Sequence, residues 1–137
     1  MGYYTDYTLS IFGTKKDEAG VIRMTDQIPH NLEEQIDAEV KKMNIFSDGN
    51  IQDAYTANTT WYDHEVDMRL LSEKFPSIVF WLSGAGEGYE DLWQKYFLNG
   101  RMQEAYAQIV YDDFDPGKLD DGPEVAHSTT KYSYQLE

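Results

Sequence analysis

The sequence predicts one α+β domain in which two helices cover one face of an antiparallel or mixed sheet of about five strands, a ferredoxin-like arrangement. The chain has 137 residues, which suits a single core and is too short for two. Hydrophobic residues make up 41% of it and aromatic residues 15%, so the apolar surface can offset the entropy lost on folding. We assign residues 1–114 to this domain and residues 115–137 to an acidic C-terminal segment.

The strands are predicted from two kinds of pattern. Residues 3–12 alternate between two sets of positions, which is typical of a strand with one buried face. Residues 78–82 are almost wholly apolar, which predicts a central strand covered on both faces. Asn99-Gly100 predicts a hairpin with a type I′ turn. The predicted strands are Tyr3–Phe12, Tyr55–Tyr62, Ile78–Leu82, Leu92–Leu98 and Met102–Tyr111.

Two amphipathic helices are predicted from apolar residues three and four positions apart. The first begins at Asn31 as N-cap, with Glu34 completing a capping box, and carries the stripe Leu32, Ile36, Val40 and Met43. The second follows Asp63 as N-cap, ends before Pro76, and carries the stripe Met68, Leu71 and Phe75.

The connections are predicted from polar and glycine-rich stretches. Residues 13–20 predict a loop, and Asp48-Gly49 predicts a turn. Residues 84–91 form a glycine-rich, acidic loop before the hairpin. Beyond Tyr111 the chain is rich in Asp, with Pro and Gly among them and few large aliphatic residues, which predicts a flexible tail.

The charge of the chain is its most unusual property. It has 25 acidic and 11 basic residues, for a net charge of −14. Residues 1–44, 45–111 and 112–137 carry −3, −6 and −5, so the excess belongs to the folded body as well as to the tail. Direct binding to nucleic acid or an anionic membrane is disfavoured, because phosphate contacts need clustered Lys and Arg. The charge favours a basic partner, or else serves only to keep the protein soluble and monomeric.

Composition also bears on compartment. The chain has no cysteine, which fits a reducing cytosol and excludes disulfides and thiolate sites. No apolar run is long enough to span a bilayer, and Met1–Asp6 lacks the features of a signal peptide. We therefore expect a cytoplasmic protein.

No motif predicts a cofactor, a metal or a catalytic site. Gly84–Gly88 lacks the spacing and the lysine of phosphate-binding loops. His64-Glu65 begins like a zinc-protease motif, but Met68 stands where the second His is needed, so His64 is expected to be partly exposed in the first turn of its helix. Lys118 stands where a calcium loop built from Asp113, Asp115 and Glu124 needs Gly. The carboxylates Asp63, Glu65, Asp67, Glu87, Glu90 and Asp91 could gather at one end of the sheet, as chance alone allows in so acidic a chain.

Several short stretches form a pattern of core and turn residues: Trp61-Tyr62-Asp63-His64-Glu65, Leu71–Pro76, Phe80-x-Leu82-Ser83-Gly84, Gly86-Glu87-Gly88, Asp91-x-Trp93 and Tyr96–Gly100. The pattern, with the opening Met1–Thr5, resembles small accessory proteins of tailed bacteriophages and mobile elements. The resemblance implies a class that includes inhibitors of host defence systems. Some of these present carboxylates spaced like DNA phosphates to the basic groove of a restriction or CRISPR enzyme.

The leading hypothesis from the sequence is a noncatalytic phage accessory protein that binds and inhibits a basic host protein that handles nucleic acid. The predicted partner-binding residues are Glu87, Glu90 and Asp91 in the loop and Asp112, Asp113, Asp115, Asp120 and Asp121 in the tail. The alternative is a counter-defence sponge that binds a small signalling molecule or nucleotide through aromatic residues of the sheet and the Gly84–Gly88 loop. An enzyme and a structural virion protein remain further alternatives.

Overall fold

The computed structural model describes residues 3–88 and 91–123, in which two helices accompany a seven-stranded antiparallel sheet. The α+β class is therefore confirmed, and the number of strands exceeds the predicted five. Neither helix is long and apolar enough to cross a membrane. In chain order, the elements are β1 (Thr5–Lys16), β2 (Ile22–Thr25), α1 (His30–Lys42), β3 (Asp48–Asn50), β4 (Ala54–Thr59), α2 (His64–Lys74), β5 (Val79–Ala85), β6 (Leu92–Leu98) and β7 (Arg101–Tyr106).

The strands are arranged in the order β3-β4-β1-β5-β6-β7, and β2 pairs with the last residues of β1. Both β4 and β5 pair antiparallel with β1, so α2 connects two parallel strands that β1 separates. Between β1 and β4 the chain passes through α1, yet these two strands are antiparallel neighbours. A ferredoxin-like fold joins split parallel strands with each of its helices, so this finer prediction is not confirmed.

The core lies between the sheet and the two helices. Tyr7, Leu9 and Ile11 are buried on one face of β1, as the alternating pattern predicted. They belong to one cluster with the predicted helix stripes, whose buried members are Ile36 and Val40 of α1, Met68 and Leu71 of α2, and Phe75 directly after α2. Both helices therefore cover the same face of the sheet.

Two predicted connections are wrong in part, because short polar strands carry little hydrophobic signal. Residues 13–16 continue β1, where Lys16 pairs with Ile22 of β2. The turn between these strands is closed by the Asp17 carboxylate, which accepts from the backbone N–H groups of Ala19 and Val21, each at 2.9 Å. Asp48-Gly49 lies in β3 rather than in a turn, and Gly49 has a φ of +121°.

The predicted caps are also corrected. Helix α1 begins at His30, with Pro29 in the N-cap position and no side-chain capping bond, so Asn31 lies inside its first turn. The Leu32 N–H donates to the Pro29 carbonyl at 2.9 Å, so the first backbone bond of this turn begins at Pro29, before Asn31. Asp63 does occupy the N-cap position of α2, but its side chain makes no capping bond there.

The predicted hairpin is confirmed at its turn. Asn99 and Gly100 have φ values of 49° and 82°, as a type I′ turn requires. The turn is attached to α2: the backbone N–H of Gly100 donates to Oγ of buried Ser72 at 2.8 Å, and Arg69 donates to the Gly100 carbonyl at 3.1 Å. The second strand ends at Tyr106, five residues before the predicted Tyr111.

Replacing Ser72 by Ala should lower the free energy of unfolding by about 1–3 kcal/mol, because the Gly100 N–H loses its partner at a partly buried site. Denaturant unfolding measures the change. Ser77→Ala is the matched control, because Ser77 is exposed and such changes stay within about 0.5 kcal/mol. Equal losses in the two variants would contradict this account of the turn.

Candidate functional site

The pairing of the strands gathers several acidic segments at one end of the sheet, which we call the acidic end. Thr5 of β1 pairs with Thr59 at the end of β4, and Asp6 pairs with Ala85 at the end of β5. Trp93, near the start of β6, pairs with Tyr106 at the end of β7. The first turn of α2, the loop between β5 and β6, and the segment after β7 therefore all adjoin this end.

The glycine-rich loop at this end is closed by hydrogen bonds. The Tyr3 hydroxyl accepts from the backbone N–H of Glu87 at 2.6 Å and donates to the carboxylate of Asp91. The Gly86 N–H also donates to the Asp91 carbonyl at 3.1 Å. The side chain of Glu87 stays exposed, whereas Asp91 is partly buried by its contact with Tyr3. The third predicted loop residue, Glu90, lies outside the described residues.

The acidic segment after β7 leaves the sheet beside this loop, because the Ala107 N–H donates to the Leu92 carbonyl at 3.1 Å. From Ala107 to the end of the described residues every side chain is exposed, including the predicted binding residues Asp112, Asp113, Asp115, Asp120 and Asp121. Asp112 pairs with Lys118 at 3.2 Å, and Asp115 caps a short 3-10 turn at Pro116–Lys118. Asp113 and Asp121 make no side-chain hydrogen bond within the described residues.

Basic residues of the strands lie mostly at the opposite end. Lys15 and Lys16 end β1, Arg23 lies in β2, and Arg101 begins β7. Lys95, in the middle of β6, is the exception, because its ammonium group reaches the first turn of α2. Most basic residues of the strands are therefore separated from the acidic end.

Lys95 is the one buried charged side chain among the described residues, with 6% of its surface exposed. Its Nζ donates to Nε2 of His64 and to Oε2 of Glu65, each at 2.7 Å, and lies 3.7 Å from Oε2 of Glu104. It also lies 4.3 Å from the centroid of the Trp93 ring, within range of a cation–π interaction. Its three N–H donors thus have partners, so Lys95 links α2 to β6 and β7 rather than presenting a free nucleophile.

The contacts of His64 determine its protonation. Its Nδ1 lies 3.2 Å from the Trp61 carbonyl, which can only accept, so Nδ1 carries the proton and Nε2 accepts from Lys95. The ring also stacks on Trp93 with centroids 5.0 Å apart. Burial and the neighbouring Lys95 lower the pKa of His64, and the hydrogen bond from Lys95 lowers the pKa of Glu65. The predicted partly exposed position in the first turn of α2 is confirmed.

Lys95 with His64, Glu65, Glu104 and Trp93 forms what we call the Lys95 cluster. Sequence reasoning missed it, although one signal was present. Trp93, Lys95 and Phe97 alternate along β6 and share a face, so a basic residue stands where the pattern requires an apolar one. A charged residue at such a position needs partners. Its partners come from α2 and β7, and only the fold shows which residues they are.

The face of the sheet opposite the helices, which we call the open face, carries a shallow cavity of about 450 Å³. Small side chains produce it, because Thr8, Ser83, Gln94 and Ala105 lie side by side across four strands. Trp81 and Tyr96 stack in the adjoining row, with ring centroids 5.6 Å apart. Within residues 3–88 and 91–123, no three His, Asp or Glu side chains are placed to hold a metal ion.

Comparison of the chain with protein-family models, curated proteins and solved structures finds no match.

The lowered pKa of His64 should make the folded protein less stable as the pH falls from about 7.5 to about 5.5. The unfolded chain binds a proton near the usual histidine pKa while the folded chain resists it, so stability is lost as the pH falls through that value. His64→Gln should remove most of this loss, measured by denaturant unfolding at the two pH values. The carboxylates whose pKa is lowered change the stability of the folded protein only at a more acidic pH. An unchanged pH dependence in the variant would contradict the contacts assigned to His64.

Proposed function

We propose that this chain is a noncatalytic accessory protein of phage type that binds and inhibits a basic host defence protein through its acidic end. The observation that carries the proposal is the convergence of Glu87 and the carboxylates after β7 at one end of a sheet whose strand cations lie mostly at the other. The phage-like sequence pattern supports the choice of a defence protein as the partner.

Ion pairing within the chain strengthens the electrostatic argument. Among the described residues, six Lys and Arg side chains already pair with the protein's own carboxylates: Arg23, Lys41, Lys42, Lys74, Lys95 and Lys118. The exposed carboxylates at the acidic end therefore have few internal cations to neutralise them. A field of one sign attracts a basic partner and speeds its association, most strongly in low salt.

The structure offers two matched sets of exposed carboxylates for a test. Glu87, Asp113 and Asp121 belong to the acidic end or the segment leaving it, and their side chains make no ion pair within the described residues. The second set lies away from the acidic end: Glu18 and Asp26 near the β1–β2 hairpin, and Glu73 in the last turn of α2. These three side chains are also exposed, and they make no ion pair among the described residues. Either set can be neutralised with the same loss of charge.

We expect the unaltered protein to raise the plating efficiency of phage on bacteria that carry a restriction or CRISPR system. The triple variant Glu87→Gln, Asp113→Asn, Asp121→Asn should lose most of this effect, because it weakens attraction of the basic partner. The control Glu18→Gln, Asp26→Asn, Glu73→Gln should retain it. Inhibition of the purified nuclease should also weaken in high salt.

Equal losses in the two triple variants would show that only total charge matters and would contradict binding through the acidic end. No effect of the unaltered protein across a panel of restriction and CRISPR systems would contradict the proposed function itself.

The open-face cavity favours a second candidate, a sponge for a small signalling molecule or nucleotide. Its volume falls within the range of small-molecule sites. Apolar Ala85 and Leu92 are among its lining residues, and the stacked Trp81 and Tyr96 lie in the next row of the same face. Asp6 at its border disfavours phosphate and favours a ligand that presents hydrogen-bond donors.

A panel of nucleosides, mononucleotides and cyclic dinucleotides tests this candidate by thermal unfolding. A molecule that binds only the folded chain should raise its melting temperature. Ser83→Phe should abolish the rise by filling the cavity, whereas Ser77→Phe, at an exposed position outside it, should not. If no member of the panel raises the melting temperature, this candidate is contradicted for these ligand classes.

A further inference from the structure

The segment that follows β7 exposes an unusual run of large apolar side chains. Within eleven residues, the exposed fractions are 56% for Ile109, 80% for Val110, 85% for Tyr111, 77% for Phe114 and 65% for Leu119. Scattered exposed apolar residues are normal on a protein surface, but a contiguous group marks an interaction site. The sequence analysis placed Ile109, Val110 and Tyr111 in the predicted strand Met102–Tyr111, whereas β7 ends at Tyr106 and leaves them exposed.

The backbone of this segment is also open. Ala107 makes the last main-chain bond beside β7, through its N–H to Leu92. From Gln108 to Phe114, no main-chain N–H or carbonyl group has a hydrogen-bond partner within the described residues. A stretch with unpaired main-chain groups can pair with the edge of a sheet when it takes an extended conformation.

The charges beside these apolar residues indicate the kind of edge. Asp112, Asp113 and Asp115 are interspersed with the apolar side chains, and the nearest cation, Lys118, already pairs with Asp112. A second copy of the same segment would bring like charges together, which disfavours self-pairing. Lys or Arg residues flanking the edge would complement them.

We infer that residues 108–114 add as an extra strand to an exposed sheet edge of a basic protein partner. The main chain supplies a ladder of hydrogen bonds, and alternate apolar side chains, such as Val110, enter pockets on the partner. This inference rests on the proposed function, since it specifies how the basic partner is held.

A photoreactive benzophenone residue tests the inference in the full chain. It is placed at Val110 and, as a control, at Val66, which lies on the outer face of α2 and is 57% exposed. After irradiation in bacteria that carry the inhibited defence system, position 110 should give an adduct with the defence protein. Peptide mapping should place that adduct on an edge strand flanked by Lys or Arg, and position 66 should give no such adduct.

Hydrogen exchange of the purified complex provides the second measurement. The amides of residues 108–114 should exchange rapidly in the free chain, and alternate amides should become protected in the complex. Val110→Pro should weaken binding much more than Val110→Thr, because only proline removes the main-chain N–H while threonine keeps a strand-forming side chain.

The outcomes separate this inference from the proposed function. A complex that forms through the acidic end while residues 108–114 stay unprotected overturns the inference and leaves the proposed function intact. Adducts between two copies of the chain overturn it in favour of self-association. Adducts on a groove that is not a sheet edge also overturn it, and no complex with any defence protein overturns both.

Discussion

The central position of β1 is the constraint on which the rest of the structure depends. This strand pairs with β4 along one edge and with β5 along the other, so its direction fixes theirs. Its buried residue Leu9 lies in the core that both helices cover. Because β4 and β5 both end where β1 begins, α2 starts at that end and the glycine-rich loop opens there. The location of the acidic end thus follows from strand pairing alone.

The acidic end places like charges near one another, and the fold limits the resulting repulsion in two ways. Exposed carboxylates such as Glu87 and Asp113 remain in water, where a high dielectric and salt weaken their interaction. Two partly covered carboxylates, Glu65 and Glu104, share the ammonium group of Lys95, which is itself buried. These two carboxylates therefore compensate the buried charge of Lys95, while carboxylates such as Glu87 stay in water.

The sequence predicted most of the elements that carry strong hydrophobic signals, namely the first strand, both helix stripes and the hairpin at Asn99-Gly100. It did not predict β2 or β3, whose stability comes from pairing with β1 and β4 rather than from burial. Glu87 and the tail carboxylates could be chosen from charge alone. Their convergence could not, because it depends on the pairing of Trp93 with Tyr106. Nor can a sequence identify His64 and Glu104 as partners of Lys95, since they lie on different elements.

The two kinds of surface at the acidic end suit different stages of binding. Solvated carboxylates attract a partner over a distance, but each exposed ion pair adds at most about 1 kcal/mol once formed. Charge therefore mainly raises the association rate. A long-lived complex requires apolar burial and main-chain hydrogen bonds, since most differences in affinity come from differences in the dissociation rate. In the inferred binding mode, residues 108–114 supply both, and they follow Ala107, which bonds to Leu92 at the end of the charged loop. In that mode, removal of charge slows capture, whereas a block to strand addition speeds release.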